Sequence, residues 1–182
     1  MAVAKVDVVV LGLLAEAPLY GYDLLERLRT RSMGCWVEVG KASVYQALHR
    51  LEERGLVAGR RLAGTRGPDR REYRITAAGR ARLRAGLRER LAEARPYETD
   101  AGLALGFVHL LPPDEARRAV GVREMALNER RSTIAAERER IADAPGAAGE
   151  VARRLLELQD ALTQTEQRWL DALGEDLPAF PR

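Results

Sequence analysis

The chain has 182 residues, of which 46% are hydrophobic, and a formal net charge of +3. This apolar content can build a core, which excludes a disordered tail, and the length fits one ordinary domain or two small ones. The charge is unevenly divided: residues 1–95 carry 19 Lys and Arg against 11 Asp and Glu, and residues 96–182 carry 11 against 16. A basic first half suits a polyanion such as nucleic acid, because each neutralised phosphate releases counterions.

The first two predicted elements are short helices. Valines and leucines in residues 6–14 recur at helical spacing, and Pro18 stops this helix. A second helix opens at Gly21 and ends near Ser32. The apolar run in the first helix is too short to span a bilayer and lacks a small-residue cleavage site, so no membrane contact is predicted.

A third helix is predicted over residues 41–54, with Gly55 as its C-terminal glycine. Its apolar residues share one face of a helical wheel drawn at about 100° per residue. The opposite face consists of Ala42, Gln46, His49 and Glu53. A recognition helix needs small residues near the groove floor and polar side chains for base edges and phosphates. We therefore expect bases to be contacted by Gln46 and His49, and phosphates or bases by Lys41, Ser43 and Tyr45.

Two strand-like segments follow, over residues 57–63 and 71–76, with turn residues between them. This predicted hairpin is rich in arginine, and Arg66, Arg70 and Arg71 lie at or beside its tip. Guanidinium groups there would hold phosphates or enter a minor groove. Three short helices followed by a basic hairpin is the order of a winged helix-turn-helix, which reads double-stranded DNA with its third helix.

A fourth helix is predicted from an N-cap at Thr76 to about Glu93, and the Arg95-Pro96 pair breaks it. We expect a winged helix-turn-helix DNA-binding domain over residues 1–95 and a helical dimerisation domain over residues 96–182. Helices are predicted there at about 98–111, 114–142 and 148–173. The fold class is mainly α with a small β-hairpin wing.

Both long helices of the second half carry apolar stripes. The first stripe repeats every seven residues through Val120, Leu127, Ile134 and Ile141. The second consists of Val151, Leu155, Leu158, Leu162, Trp169 and Leu173. Because the seven-residue stripe is narrow, we expect helices of two chains to share one core in a homodimer, whose recognition helices would meet successive major grooves of a palindromic site. The alternative is a monomeric helical hairpin that serves another partner.

Other function classes find little support. Cys35 is the only cysteine, and together with two histidines it provides neither a disulfide nor a zinc spacing, which fits the cytoplasm. The sequence has no nucleophile elbow or phosphate loop, so we expect no catalytic residue, metal or cofactor. A winged-helix adaptor that acts through protein-protein contacts remains the alternative, although an adaptor does not need a cationic reading face.

Three stretches resemble the PadR family of transcriptional regulators: residues 20–24, 43–57 and 73–80, with Trp36 before the third helix. The second half resembles the family's longer subtype in length and character. The resemblance implies a homodimeric repressor that a small ligand releases from DNA. It also implies DNA contacts at Lys41, Ser43, Tyr45 and Gln46 and at the hairpin arginines. The inducer is then expected in an apolar pocket between the two halves, where aromatic residues can meet. The candidates are Trp36, Phe107 and Trp169.

Overall fold

The computed structural model describes residues 4–62, 70–94 and 99–176. It divides the chain into two compact units, residues 1–95 and 96–182, each with its own hydrophobic core. None of the helices in the described ranges combines the length and the apolar character that crossing a bilayer requires.

The described part of the first unit contains four helices and three strands. The helices are α1 (Lys5–Glu16), α2 (Gly21–Thr30), α3 (Lys41–Glu53) and α4 (Ala77–Ala92). The strands are β1 (Leu19–Tyr20), β2 (Val57–Leu62) and β3 (Arg70–Ile75). A single 3₁₀ turn, Met33–Cys35, lies between α2 and α3. The bounds of the predicted helices and of the hairpin strands agree with the structure to within one or two residues.

The sheet is antiparallel and has the order β1-β3-β2. The hairpin of β2 and β3, called the wing below, is the predicted one, but β1 was not predicted. It pairs Leu19 with Tyr73 and Tyr20 with Glu72. Two residues are too few to show the alternation by which a strand is recognised in a sequence, so only the fold reveals this third strand.

Local backbone chemistry fixes the end of α3 and the start of α4. Gly55 has φ +68°, and the N–H groups of Gly55 and Leu56 donate to the carbonyls of Glu52 and Leu51, both at 2.9 Å. This is the Schellman arrangement that a glycine after a helix favours. Thr76 caps α4, since its Oγ1 accepts from the N–H of Gly79 at 3.0 Å. The predicted C-terminal glycine and N-cap are both confirmed.

The core of the first unit is formed by the apolar faces of its helices and sheet. Its fully buried leucines are Leu11, Leu14, Leu24, Leu48 and Leu51. Burying one leucine side chain stabilises a fold by about 1.5–3 kcal/mol. The α3 face predicted to be apolar lies in this core, so the opposite face of α3 is directed to solvent.

The described part of the second unit contains α5 (Asp100–Gly106), α6 (Pro113–Arg140) and α7 (Gly146–Asp176), with a 3₁₀ turn at Val108–Leu110. The prediction of one helix over residues 98–111 was wrong. Helix α5 ends at Gly106, a residue with low helix propensity, and the 3₁₀ turn follows after Phe107.

The packing of α6 and α7 confirms one predicted stripe and corrects the other. The heptad stripe of α6 is buried at all four positions. Helix α7 has its own buried residues, namely Ala152, Leu156, Thr163 and Leu170. The stripe predicted for α7 lies about 105° around the helix from this set. Three of its members, Val151, Leu158 and Trp169, are exposed, so α7 has two apolar faces and fully buries one.

Candidate nucleic-acid interface

The solvent-facing side of α3 has the composition of a DNA-reading surface. The reading face consists of Ala42, Gln46, His49 and Glu53, and all four residues are exposed. Lys41 is exposed at the start of the helix, whereas Ser43 is partly buried beside it. The residues that the sequence predicts for bases and phosphates therefore lie together on one side of α3.

One flank of α3 is fixed to α1 by a buried charge. Asp7 is only 2% exposed, and its Oδ1 accepts from Nη2 of Arg50 at 2.5 Å. Arg54 lies 4.0 Å from the other carboxylate oxygen. A buried carboxylate without a partner is costly, so this pairing fixes the side of α3 that carries Arg50 against α1.

The other flank of α3 is fixed to the wing. Oε1 of Glu52 accepts from the backbone N–H of Gly59 in β2 at 3.0 Å and from Nη2 of Arg71 in β3 at 2.6 Å. The Arg71 guanidinium also lies 5.7 Å from the centroid of the Tyr73 ring. Burial raises the pKa of the Tyr73 hydroxyl above its usual value, and the nearby Arg71 opposes this effect. Tyr73 is therefore a neutral phenol at physiological pH.

Tyr45 packs against the start of α2. A Cβ atom at Gly21 would lie 2.7 Å from Cε1 of Tyr45, so the ring takes the space that the missing side chain leaves. Tyr45 is still 40% exposed. Beside it, the rings of Tyr20 and Tyr22 are stacked with centroids 5.7 Å apart. The packing fixes the ring of Tyr45 and leaves part of it accessible to a phosphate.

His49 has an acidic neighbour on the reading face. Its Nδ1 lies 3.3 Å from Oε1 of Glu53, one turn further along α3, and both side chains are well exposed. Glu53 is the last residue of α3, at the far end of the helix from Lys41. The carboxylate thus lies where its repulsion of phosphate disturbs the first turns least.

The three predicted wing arginines differ in what the structure describes. Arg66 lies outside the described residues, and Arg70 is described only as a backbone position of β3. Arg71 is paired with Glu52, as given above. Arg60 and Arg61 of β2 are exposed on the same hairpin. The described base of the wing is therefore cationic.

The candidate ligand residues are divided between the units. Trp36 lies in the first unit and is partly buried, whereas Phe107 and Trp169 belong to the second and are 59% and 49% exposed. Trp169 lines a groove of about 890 Å³ within the second unit, and Phe107 is not among the groove's lining residues. Other lining residues are Thr99, Arg123, Arg130, Gln159 and Glu166. Arg123 pairs with Glu166 at 2.7 Å.

Sequence reasoning missed Asp7, Glu52 and Gly59. For two of these residues, the sequence contains a feature that could have indicated their role. Asp7 is a single carboxylate within an apolar helix, where a charge needs a partner. Gly59 is an isolated glycine in a strand, which often marks a close approach of other groups. Glu52 had none, because an acidic residue beside a polar helix face is ordinarily solvated.

Comparison with known proteins relates the first unit to one protein family. Residues 10–85 match the family model described as the transcriptional regulator PadR-like family. The match lies wholly within the first unit, so this unit is similar to the PadR-like family. The matched family consists of transcriptional regulators, and the first unit has the winged-helix fold that the sequence predicts.

Solved structures of PadR-like regulators share the fold. Bacillus subtilis PadR in complex with operator DNA is 17% identical with a TM-score of 0.76, and the match covers 96% of this chain and 99% of that one. The Vibrio cholerae virulence activator AphA is 18% identical with a TM-score of 0.74, over 96% and 99% of the two chains. B. subtilis PadR in complex with p-coumaric acid is 18% identical with a TM-score of 0.72, over 94% and 98%. No curated protein sequence matches.

Proposed function

We propose that this PadR-like regulator is a cytoplasmic, homodimeric repressor that binds a palindromic operator and is released by a small molecule. The observation that carries the proposal is the exposed reading face of α3, fixed on one flank by Asp7 and on the other by Glu52. A helix held in this way presents its side chains to the major groove with little loss of conformational freedom on binding.

The roles follow from side-chain chemistry. Gln46 and His49 are suited to base edges, because amide and imidazole groups both donate and accept. We assign contacts with phosphates or bases to Lys41, Ser43 and Tyr45. Contacts with phosphates are assigned to Arg66 and Arg70. Arg71 was also predicted to contact DNA, but because it is paired with Glu52 we propose that it supports the base of the wing instead.

The partners are supported by relatives. B. subtilis PadR has been solved with operator DNA and with p-coumaric acid. We propose the same two classes of partner here, operator DNA and a small aromatic molecule. The regulated genes are expected beside the regulator's own gene.

The first test is a mobility-shift titration on DNA from upstream of the chain's own gene, with a random duplex as competitor at fixed salt. We expect saturable retardation that survives the competitor. Selection of binding sites from a random duplex library should then yield a sequence with two symmetric halves. Failure to enrich any sequence would contradict the proposal.

Three substitutions separate phosphate contacts from base contacts. Lys41→Ala should weaken binding to all sequences and lower the magnitude of the salt slope by about 1, because one phosphate contact is lost. Gln46→Ala should instead relax preference at one base position, at a cost of about 1–3 kcal/mol for the preferred base. Arg66→Ala should behave like Lys41→Ala. If Lys41→Ala and Gln46→Ala both leave binding unchanged, the assignment of α3 is wrong.

The small-molecule site is proposed at the groove beside Trp169. Its wall combines this indole with cationic and acidic side chains, a setting that suits a planar aromatic molecule with a polar end. Titration with aromatic carboxylates, p-coumarate first, should change tryptophan fluorescence. Because the chain has two tryptophans, Trp169→Phe should abolish the change and Trp36→Phe should retain it. The reverse pattern would move the site to the first unit.

A further inference from the structure

A single carboxylate oxygen joins the recognition helix to both long strands of the wing. Oε1 of Glu52 accepts from the N–H of Gly59 in β2 and from the guanidinium of Arg71 in β3. The Glu52 side chain is 25% exposed, so the interaction is partly shielded from water. We call these three residues the clamp.

Gly59 makes the clamp sterically possible. A Cβ atom at this position would lie 2.5 Å from Nε of Arg71 and 2.6 Å from Oε1 of Glu52. Any larger residue would therefore have to displace the ion pair. A glycine in the middle of a strand weakens the strand, which is accepted where other groups must approach the backbone closely.

The charges of the clamp largely cancel. Arg71 is paired with Glu52 and lies over the Tyr73 ring, so it offers little net positive charge to a phosphate. Glu52 also adds a negative charge to the DNA-reading helix itself, where it repels phosphate. The carboxylate thus works against phosphate binding, whereas it holds α3 to both strands of the wing.

We infer that Glu52 and Arg71 are positioning residues that couple the wing to α3 and so determine sequence discrimination, an inference that rests on the proposed function. Phosphate contacts fix the register of a protein on DNA, and base contacts specify the sequence. When the wing is held at a fixed position relative to α3, the phosphate contacts of the wing and the base contacts of α3 can form together only on the correct site. A wing free to move would make its phosphate contacts on any sequence.

The test compares three variants by fluorescence anisotropy, on the duplex selected by the wild-type protein and on a scrambled duplex. Glu52→Gln removes the charge of the clamp and keeps its shape. Gly59→Ala disrupts the clamp without changing charge. Glu72→Gln is the matched control, because Glu72 lies in β3 and pairs with Arg74 of the same strand at 2.8 Å. Circular dichroism and thermal unfolding establish that each variant is folded.

We expect Glu52→Gln to raise affinity for the scrambled duplex about threefold at low salt, with a steeper salt slope, because a repulsive charge is lost and Arg71 is released. Its ratio of specific to non-specific affinity should fall at least about fivefold. Gly59→Ala should lower the ratio similarly and change non-specific affinity by less than about twofold, since no charge changes. Glu72→Gln should raise both affinities by the same factor.

The outcomes separate the inference from the function on which it rests. Suppose that the wild-type protein discriminates between the two duplexes and that Glu52→Gln has the same ratio of specific to non-specific affinity as Glu72→Gln. Glu52 is then an ordinary surface charge, and the inference about the clamp is wrong while the proposed function stands. If the wild-type protein does not discriminate between the two duplexes, the proposed function and the clamp fail together. Should Gly59→Ala unfold, the comparison of Glu52→Gln with Glu72→Gln still decides the question.

Discussion

Individual charged residues determine how α3 is held, and Asp7 is the most deeply buried of those that contact it. The carboxylate of Asp7 is almost inaccessible to water, whereas the side chain of Arg50 is 44% exposed. This asymmetry matters, because an arginine that loses its partner can turn to solvent and a buried carboxylate cannot. The two halves of the ion pair are therefore not equivalent for stability.

We predict that Arg50→Met destabilises the first unit more than Asp7→Asn does. Methionine keeps most of the aliphatic stem but removes the close partner of Asp7 and leaves Arg54 at 4.0 Å, at a cost of about 1–3 kcal/mol. Asparagine removes the buried charge itself, so its cost should be smaller. Urea unfolding measures both. The control is Arg29→Ala, which breaks an exposed pair with Glu26 and should cost no more than about 0.5 kcal/mol.

A larger cost for Asp7→Asn than for Arg50→Met would contradict this reasoning. It would mean that the hydrogen-bond geometry of the carboxylate, and not its desolvated charge, dominates the interaction. The fixation of α3 by Asp7 would remain, but its physical origin would be different.

The elements of the first unit meet through close backbone contacts. Helix α4 begins against the turn between α3 and β2, where the carbonyl of Leu56 accepts from the N–H of Thr76 at 3.1 Å. Gly79 lies one turn further on, and a Cβ there would be 2.1 Å from the same carbonyl oxygen. Only glycine allows α4 to start this close to the turn that ends the recognition helix.

We predict opposite effects for the same substitution at two helical glycines. Gly79→Ala should lower the free energy of unfolding by about 1–3 kcal/mol, because α4 or the turn must move. Gly12→Ala in α1 should raise it by about 0.5–1 kcal/mol, since a Cβ at Gly12 meets nothing within 4 Å. Thermal unfolding of both variants checks this. Equal effects would show that helix propensity, and not the close contact at Leu56, controls both positions.

At the scale of the whole molecule, the second apolar stripe of α7 bears on the proposed homodimer. Val151 and Leu158 are exposed, and Leu155 and Leu162 are only partly buried. An exposed apolar stripe on a long helix favours association with another helix. In the proposed homodimer, we expect the acidic second half to be repelled by DNA and the basic first half to contact phosphates.

We predict that the wild-type protein sediments at twice its chain mass of 20.2 kDa. Leu158→Glu should raise the dimer dissociation constant at least about tenfold, because a charge enters an apolar interface. It should also weaken binding to a two-half operator more than binding to a scrambled duplex. Ala161→Glu adds the same charge at an exposed residue on another face of α7 and should leave the dimer intact. Dissociation by Ala161→Glu alone would assign the interface to the other face.

The sequence by itself determined which segments form the main elements. Heptad and helical spacings gave α3, α6 and α7, because apolar periodicity follows directly from helix geometry. Gly55 and Thr76 marked the ends of two helices, because caps depend on a few neighbouring residues. The exposed side of α3, with Lys41, Gln46 and His49, followed from the same periodicity.

Only the tertiary structure decided what each surface meets. It paired Asp7 with Arg50 across 43 positions of the chain, added β1 to the sheet, and buried Leu156 where the sequence favoured its neighbour Leu155. It also assigned Arg71 to Glu52. These contacts join residues that are distant in sequence, and periodicity within one helix cannot report which of two apolar stripes, or which of many arginines, finds a partner.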